Sequence, residues 1–400
     1  MTNIVASESV NALWGSDWQE VRNEWRSDRS TFFFCHGAYG AVPTKVREYQ
    51  AGLTDRIDRN PTGFFRRELD SLLEAARLEA AGFCGASPDG LAWIRNASEG
   101  MTVAIAAIPL MPGDEILVTN HVYPAVRSAA ESKCKATGAK LVEVQLPFTD
   151  DDAILTQSIA DGMTKRTRLF LVDEIAAATA RVFPIRELAK ITRERGIVLV
   201  VDGAHAPGMY PISIDTLGAD IWVGNFHKWV CAPQGAAAIW ATSEWREKLR
   251  PSAVSYRDGL AYPNRFGRLG TDDMTAMLSV PFAIKFLQRI GLEKIYRYNA
   301  ELVAYGAEAI RTKLGTPKIA GRYACRHPIA LPAGVAEDEV SALALQTHIA
   351  TQLHTELSVV PPVGAQQHAS IIVSAFIYNH PREYEQFATL LPQFLKEHKI

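Results

Sequence analysis

The sequence predicts an α/β layered fold: a large domain with a seven-stranded, mostly parallel sheet flanked by helices, followed by a smaller α+β C-terminal domain. Two observations carry this. From about residue 66 to 300, short apolar and β-branched runs alternate with amphipathic stretches, the pattern of parallel strands joined by helices. Beyond roughly Val280 the rhythm changes to long helical patterns around one strand-like run.

The strand candidates are Leu91–Arg95, Glu115–Thr119, Lys140–Leu146, Arg168–Asp173, Ile197–Asp202, Asp220–Gly224 and Gly235–Trp240. Several are apolar on both faces, as strands buried between two helical layers must be. Between them, Leu69, Leu72, Leu73, Ala76 and Ala80 recur at helical spacing ahead of Gly82. The run RELAKITRER stops at Gly196, a residue that takes a left-handed cap without steric cost. In the C-terminal part, helical patterns span Glu301–Leu314, Glu337–Leu357 and Arg382–His398, with Ser370–Tyr378 as the strand-like run. The expected division is an N-terminal segment packing on the small domain (residues 1–30), the large α/β domain (31–280) and the small domain (281–400). No internal repeat or Gly/Ser linker separates them.

Composition narrows the function. The 400 residues leave room for two or three structural units with real cores. Lys plus Arg number 42 against 44 Asp plus Glu, a net charge of −2, so no basic surplus exists to neutralise a nucleic-acid backbone or an anionic membrane. The N-terminus lacks the basic start and apolar core of a signal peptide, and no run approaches the roughly 20 apolar residues of a membrane span. A cytoplasmic location is expected. Cys35, Cys84, Cys134, Cys231 and Cys325 are odd in number, scattered and never CxxC, which argues against a disulfide framework and a metal cluster.

In an open parallel sheet, ligands bind beyond the carboxyl ends of the strands. After LAWIR comes Asn96-Ala97-Ser98-Glu99-Gly100, opening a helical pattern. The free amides and dipole of a helix start can hold a phosphate, although Asn and Ser also serve as ordinary N-caps. The run IVLVVD ends in Asp202, with His205 one turn later. A carboxylate there can keep a heteroaromatic nitrogen protonated, or simply cap the following loop. After DIWVG comes Asn225-Phe226-His227-Lys228-Trp229, where partial burial would lower the lysine pKa and expose a usable amine. A phosphate site, a strand-tip carboxylate and a semi-buried amine on one sheet edge are jointly what pyridoxal 5'-phosphate requires.

With these motifs the sequence resembles the class V aminotransferases, fold-type I pyridoxal-phosphate enzymes, in their isopenicillin N epimerase-like and cysteine desulfurase-like branch. The carriers are FCHGAYGAVP, RNASEG, HVYPA, VDEIAAATARVFPI, VDGAHAPG, NFHKWVCAPQG, RLGTDD and VSAFIYN. The resemblance implies Lys228 as the Schiff-base lysine, Asp202 as partner of the ring nitrogen, His205 near the phenolic oxygen and Tyr123 stacked on the pyridine face. It places Asn96, Ala97, Ser98 and His227 around the phosphate. Thr271 is implied to reach the phosphate in a neighbouring subunit, which makes a homodimer with shared active sites the expected assembly.

Two departures from the family pattern matter. The position of the family's carboxylate-binding arginine, two residues before Ser374, holds Ile372. Arg265 or Arg268 is therefore expected to take an acidic group of the substrate, the alternative being a solvated loop arginine. Residues Glu174-Ile175-Ala176-Ala177-Ala178 stand where relatives often carry His and Ser, which predicts a less polar wall. The segment Cys35-His36-Gly37-Ala38-Tyr39-Gly40 is expected to line the substrate entrance, with His36 either a second acid/base or an ordinary loop histidine.

The implied activity is that of a lyase working at Cα of a small-molecule amino acid. The reading is C–S β-elimination from a cysteine S-conjugate or related sulfur amino acid, in secondary metabolism such as antibiotic biosynthesis. Decarboxylation-coupled oxidative deamination, prompted by Ile372, is the alternative, followed by epimerisation and transamination. A non-catalytic scaffold is a further alternative, against which the retention of both Lys228 and Asp202 argues.

Overall fold

The computed structural model describes residues 18–397 apart from 365 and 367, so residues 1–17 of the expected N-terminal segment lie outside the described residues. Among the described residues the strands are β1 (Phe32–Phe33), β2 (Leu91–Ile94), β3 (Glu115–Thr119), β4 (Lys140–Val144), β5 (Thr167–Asp173), β6 (Val198–Asp202), β7 (Ile221–Asn225), β8 (Ala237–Ala241), β9 (Arg326–Ala330), β10 (Thr355–Glu356), β11 (Ser358–Val360) and β12 (Ser370–Ser374).

The expected seven-stranded sheet is present, in the order β2-β8-β7-β6-β5-β3-β4. Neighbours from β7 through β4 pair in parallel, whereas β8 runs antiparallel to both β2 and β7. All strands except β8 therefore send their carboxyl ends to one edge. Successive strand side chains point to opposite faces, and both faces are buried. Ile116, Val118, Leu171 and Val200 pack under helices Ala97–Ala107 and Pro124–Thr137. Leu117, Phe170, Leu199 and Val201 pack under Leu69–Phe83, Asp152–Gly162 and Ile185–Glu194. The apolar runs of the sequence reflect this double burial.

The C-terminal part is an antiparallel sheet, β11-β12-β9, against which helices Leu292–Leu314 and Pro381–Glu397 pack. Those two helices approach closely at Gly306, where a β-carbon would run into the Tyr384 ring. β1 pairs in parallel with β10, and Phe34 stacks on Tyr384 with ring centroids 4.1 Å apart. The segment around β1 is thereby tied to the C-terminal sheet. Trp25 meets Phe286, Phe376 and Tyr378 edge-on.

Several expectations for this part need correction. The run Ser370–Tyr378 is a strand only to Ser374, and β9, β10 and β11 were not foreseen. The helix expected over Glu337–Leu357 spans Glu339–Gln352. Beyond it the chain turns at His354, with φ +46°, into β10 and β11, whose Thr355, Val359 and Val360 favour extended backbone. The helix expected from Glu301 begins at Leu292.

Candidate active site

The carboxyl ends of β5, β6 and β7 carry Asp173, Asp202 and Asn225, and the loop after β7 presents Lys228. These groups, with the start of helix Ala97–Ala107, line a cavity of about 210 Å³. Glycine lets the strand ends close in: a β-carbon at Gly203 or Gly224 would press into the Trp222 ring.

Lys228 is half-buried, and its amine is pushed down to about 8 by desolvation, with Asp202 pulling the other way. Its Nζ lies 3.3 Å from His205 Nε2. Trp229 Nε1 donates to His205 Nδ1 at 3.4 Å, so a neutral His205 carries its proton on Nε2, facing the amine. Burial holds His205 well below its ordinary range, with the Lys228 and Arg326 charges adding to the effect. Asp202 is 6% exposed, and its Oδ1 accepts the Ala204 amide at 3.0 Å. Burial raises its carboxyl, while the Ala204 amide and Lys228 lower it. Asp173, its neighbour across the β5–β6 ladder, is raised well above the usual range by burial and by Asp202. Of the two, Asp202 also has the Ala204 amide favouring its charged form.

At the helix start, the Asn96 side chain accepts the Glu99 amide at 2.9 Å, and the Ala97 amide donates to Asn225 Oδ1 at 2.9 Å. Asn96 is thus an ordinary cap as well as a cavity residue. Among the described residues, the Ser98 amide and hydroxyl donate to no protein group and remain available. His227 Nδ1 donates to Ala236 O at 3.0 Å on the same wall. Tyr123, 42% exposed, precedes helix Pro124–Thr137 and presents its ring to the cavity. Ala38 and the exposed Tyr39 stand at the mouth, and Ile175 and Ala177 form the weakly polar wall.

Five expected site residues lie elsewhere. His36 is fully buried: Nδ1 lies 2.7 Å from the Tyr378 hydroxyl, the ring stacks on Phe376 at 4.0 Å, and desolvation pushes it down to about 3. It is a packed structural histidine, not an acid/base at the entrance. Gly37 allows a close approach, but to the Arg326 side chain and Trp229 rather than to substrate. Arg265 is buried in an ion pair with Glu247 at 2.5 Å. Arg268 donates to Phe65 O at 2.8 Å. Both guanidinium groups are engaged away from the cavity. Thr271 is exposed and does not line the cavity of its own chain.

Sequence reasoning missed Asp173 and Arg326. Asp173 ends a strand run just as Asp202 does, and the same strand-tip rule could have found it. Arg326 carries no motif signal; the pairing of β9 with β12 places it opposite Ser374, behind the wall at Ala176 and Ala177. Its Nη2 and Nη1 donate to Ala177 O at 2.8 Å and Ala176 O at 3.3 Å. Burial pushes its pKa down to about 10, where it stays charged at neutral pH.

Pyridoxal phosphate makes three demands, and this donor set fits them. Ser98 and the helix dipole suit a phosphate, the buried anion Asp202 suits a protonated ring nitrogen, and the depressed Lys228 amine suits an aldehyde. A larger cavity, of about 330 Å³ beside Glu174, has no lysine in its lining.

Comparison with known proteins agrees. The family model "Aminotransferase class-V" matches residues 44–314. Isopenicillin N epimerase of Streptomyces clavuligerus is 29% identical over 317 residues, covering 75% of this chain and 80% of that one. Putative L-cysteine desulfhydrase 2 of Oryza sativa subsp. japonica is 31% identical over 327 residues, covering 74% and 68%. Among solved structures, the cystine C–S lyase C-DES in complex with its reaction product cysteine persulfide superposes with a TM-score of 0.78, at 18% identity, over 91% of this chain and 98% of that one. Sequence motifs, sheet topology and the composition of the cavity converge with these matches: the chain belongs to the class V aminotransferase family.

Proposed function

We propose that this protein is a pyridoxal-phosphate-dependent lyase that cleaves the C–S bond of a cysteine S-conjugate or related sulfur amino acid by β-elimination. The observation that carries the reading is the half-buried Lys228, whose amine lies 3.3 Å from His205 Nε2 and is lowered by desolvation, with the Asp202 charge acting on it. When bound, the cofactor supplies a sink for the electrons of a bond at Cα. The chain's residues do the rest. Asp202 would hold the proton of the ring nitrogen, His205 Nε2 would donate toward the phenolic oxygen, and Ser98 and His227 would bind the phosphate. Lys228 would hold the cofactor's aldehyde and, with its amine free, would take the Cα proton. The β-sulfur then leaves as a thiolate, and hydrolysis of the remaining fragment balances the reaction as thiol, pyruvate and ammonium.

Two observations favour elimination over epimerisation. An epimerase needs a second proton donor besides Lys228, and His36 is sealed behind Phe376 and Tyr378. The weakly polar wall of Ile175 and Ala177 suits an apolar thiol substituent. The relatives' names include cysteine desulfhydrases as well as epimerases. The assembly we propose is a homodimer in which Thr271 serves the neighbouring site. The exposed Val254, Tyr256 and Leu260 lie in the stretch leading to it and supply apolar surface for such contact. Placement in the secondary metabolism of the cytoplasm belongs to the same proposal; no helix of the described residues is long and apolar enough to cross a membrane.

The test is incubation of the holoenzyme with cysteine S-conjugates, resolving products by mass spectrometry. Thiol and pyruvate in equal amounts are expected. Carbon dioxide release would replace the reading with decarboxylation-coupled deamination, an inverted amino acid with epimerisation, and inertness toward every amino acid with a scaffold.

A further inference from the structure

Arg326 is a buried cation without an anion. It is 6% exposed, and among the described residues no carboxylate lies within ion-pair distance of it. Its recorded partners are two neutral carbonyls, Ala176 O and Ala177 O, the second on a residue that lines the cavity. A guanidinium has five N–H donors in a planar fork, so these two bonds leave donor capacity unused. Holding such a charge out of water costs several kcal/mol unless an anion arrives. The charge is also felt within the site, since it disfavours protonation of both Lys228 and His205.

The sheet register explains how the arginine gets there. Arg326 pairs with Ser374, and Pro328 pairs with Ile372. Directly paired residues share a face of an antiparallel sheet, and so do residues two apart on one strand. Arg326 therefore emerges on the same face as Ile372, diagonally across the β9–β12 ladder, within reach of a long side chain. The chain is built around it: a β-carbon at Gly37 would come within 2.9 Å of Arg326 Cδ and 3.0 Å of its Nε. That approach, rather than contact with substrate, is what the glycine of the CHGAYG segment permits.

We propose that Arg326 is the binding site for the substrate's α-carboxylate, supplied from β9 in place of the side chain that Ile372 on β12 cannot offer. A carboxylate entering beside Lys228 would accept the unused donors and neutralise the buried charge. This rests on the reading of the site as one that binds amino acids, but not on which bond at Cα is then broken.

The test compares L-alanine with ethylamine, which carries the same amine without the carboxylate. Each is titrated into the holoenzyme, following the cofactor's visible absorbance rather than turnover. The wild-type protein is expected to bind L-alanine far more tightly than ethylamine. In Arg326→Gln, L-alanine should weaken by about 100-fold or more, while ethylamine changes by less than about threefold, so that the preference disappears. If Arg326→Gln fails to fold, Arg326→Lys keeps the charge but loses the planar fork, and should weaken L-alanine alone by about tenfold. An undiminished preference for L-alanine in the variant that folds would overturn the assignment. Absence of thiol and pyruvate in the product assay, with the preference intact in wild type and lost in the variant, would sink the lyase reading while leaving the carboxylate site standing.

Discussion

The role proposed for Lys228 depends on the desolvation of its amine. A free lysine near pKa 10.4 is neutral in only about one molecule in 2,500 at pH 7, whereas a group near 8 is neutral in about one in ten. The amine of the cofactor-free protein is thus poised to take up an aldehyde. The folded-state pKa is depressed, so the neutral, reactive form gains tenfold per pH unit up to about 8 and then saturates. The uptake rate of pyridoxal phosphate by cofactor-free protein, followed by absorbance, should rise over that range and level off near pH 8; a rise continuing to pH 10 would contradict it. The same scale shows what sequence could reveal. All six of Lys228, Asp202, His205, His227, Tyr123 and Ser98 line the cavity; the position next to a strand end or helix start pointed to Lys228, Asp202, His205 and Ser98, and the family resemblance to Tyr123 and His227. His36, Arg265 and Arg268 were misplaced because their surroundings, Tyr378 and Phe376, Glu247 and Phe65, come from distant segments. Residue type and local spacing carry no trace of such partners.

The loop bearing Lys228 is held by an element far away in sequence. Residues 35–41 wedge between that loop and the C-terminal sheet: the His36 amide donates to Ser374 Oγ at 2.9 Å, and a β-carbon at Gly40 would collide with the carbonyl oxygens of His227 and Lys228. Overpacking of this kind typically costs 1–3 kcal/mol. Gly40→Ala is expected to destabilise the protein by about 2 kcal/mol in urea unfolding and to weaken cofactor retention, because the strain falls on the lysine loop itself. Normal retention with unchanged stability would show that the wedge does not position Lys228. His36→Asn should cost about 2–3 kcal/mol through the lost ring stacking and Tyr378 contact. The surviving activity should keep the pH limbs of the wild type; loss of a limb would reinstate His36 as an acid/base. At this scale the strands β2 to β8, all but β4 being largely buried, were readable from sequence. β9, β10 and β11 were not, because their sequences show no clear alternation and their pairing with β12 and β1 is set by tertiary contact. Missing β9 is also why Arg326 was missed.

At the scale of the whole molecule, one sheet edge gathers a carboxylate, an imidazole, an amine and a helix start from three separate stretches of chain. The C-terminal sheet adds a guanidinium from behind. The proposed dimer predicts a sedimentation mass of twice the 44.0 kDa chain at micromolar concentration. A fully active species with the mass of a single chain would exclude a role for Thr271 in a neighbouring site. The account as a whole stands on the bond between Lys228 and the cofactor aldehyde. Borohydride reduction of the holoenzyme, followed by peptide mass mapping, should place the pyridoxyl phosphate on Lys228 and on no other lysine. Recovery of the label on a different lysine, or an unlabelled chain from a yellow protein, would contradict it.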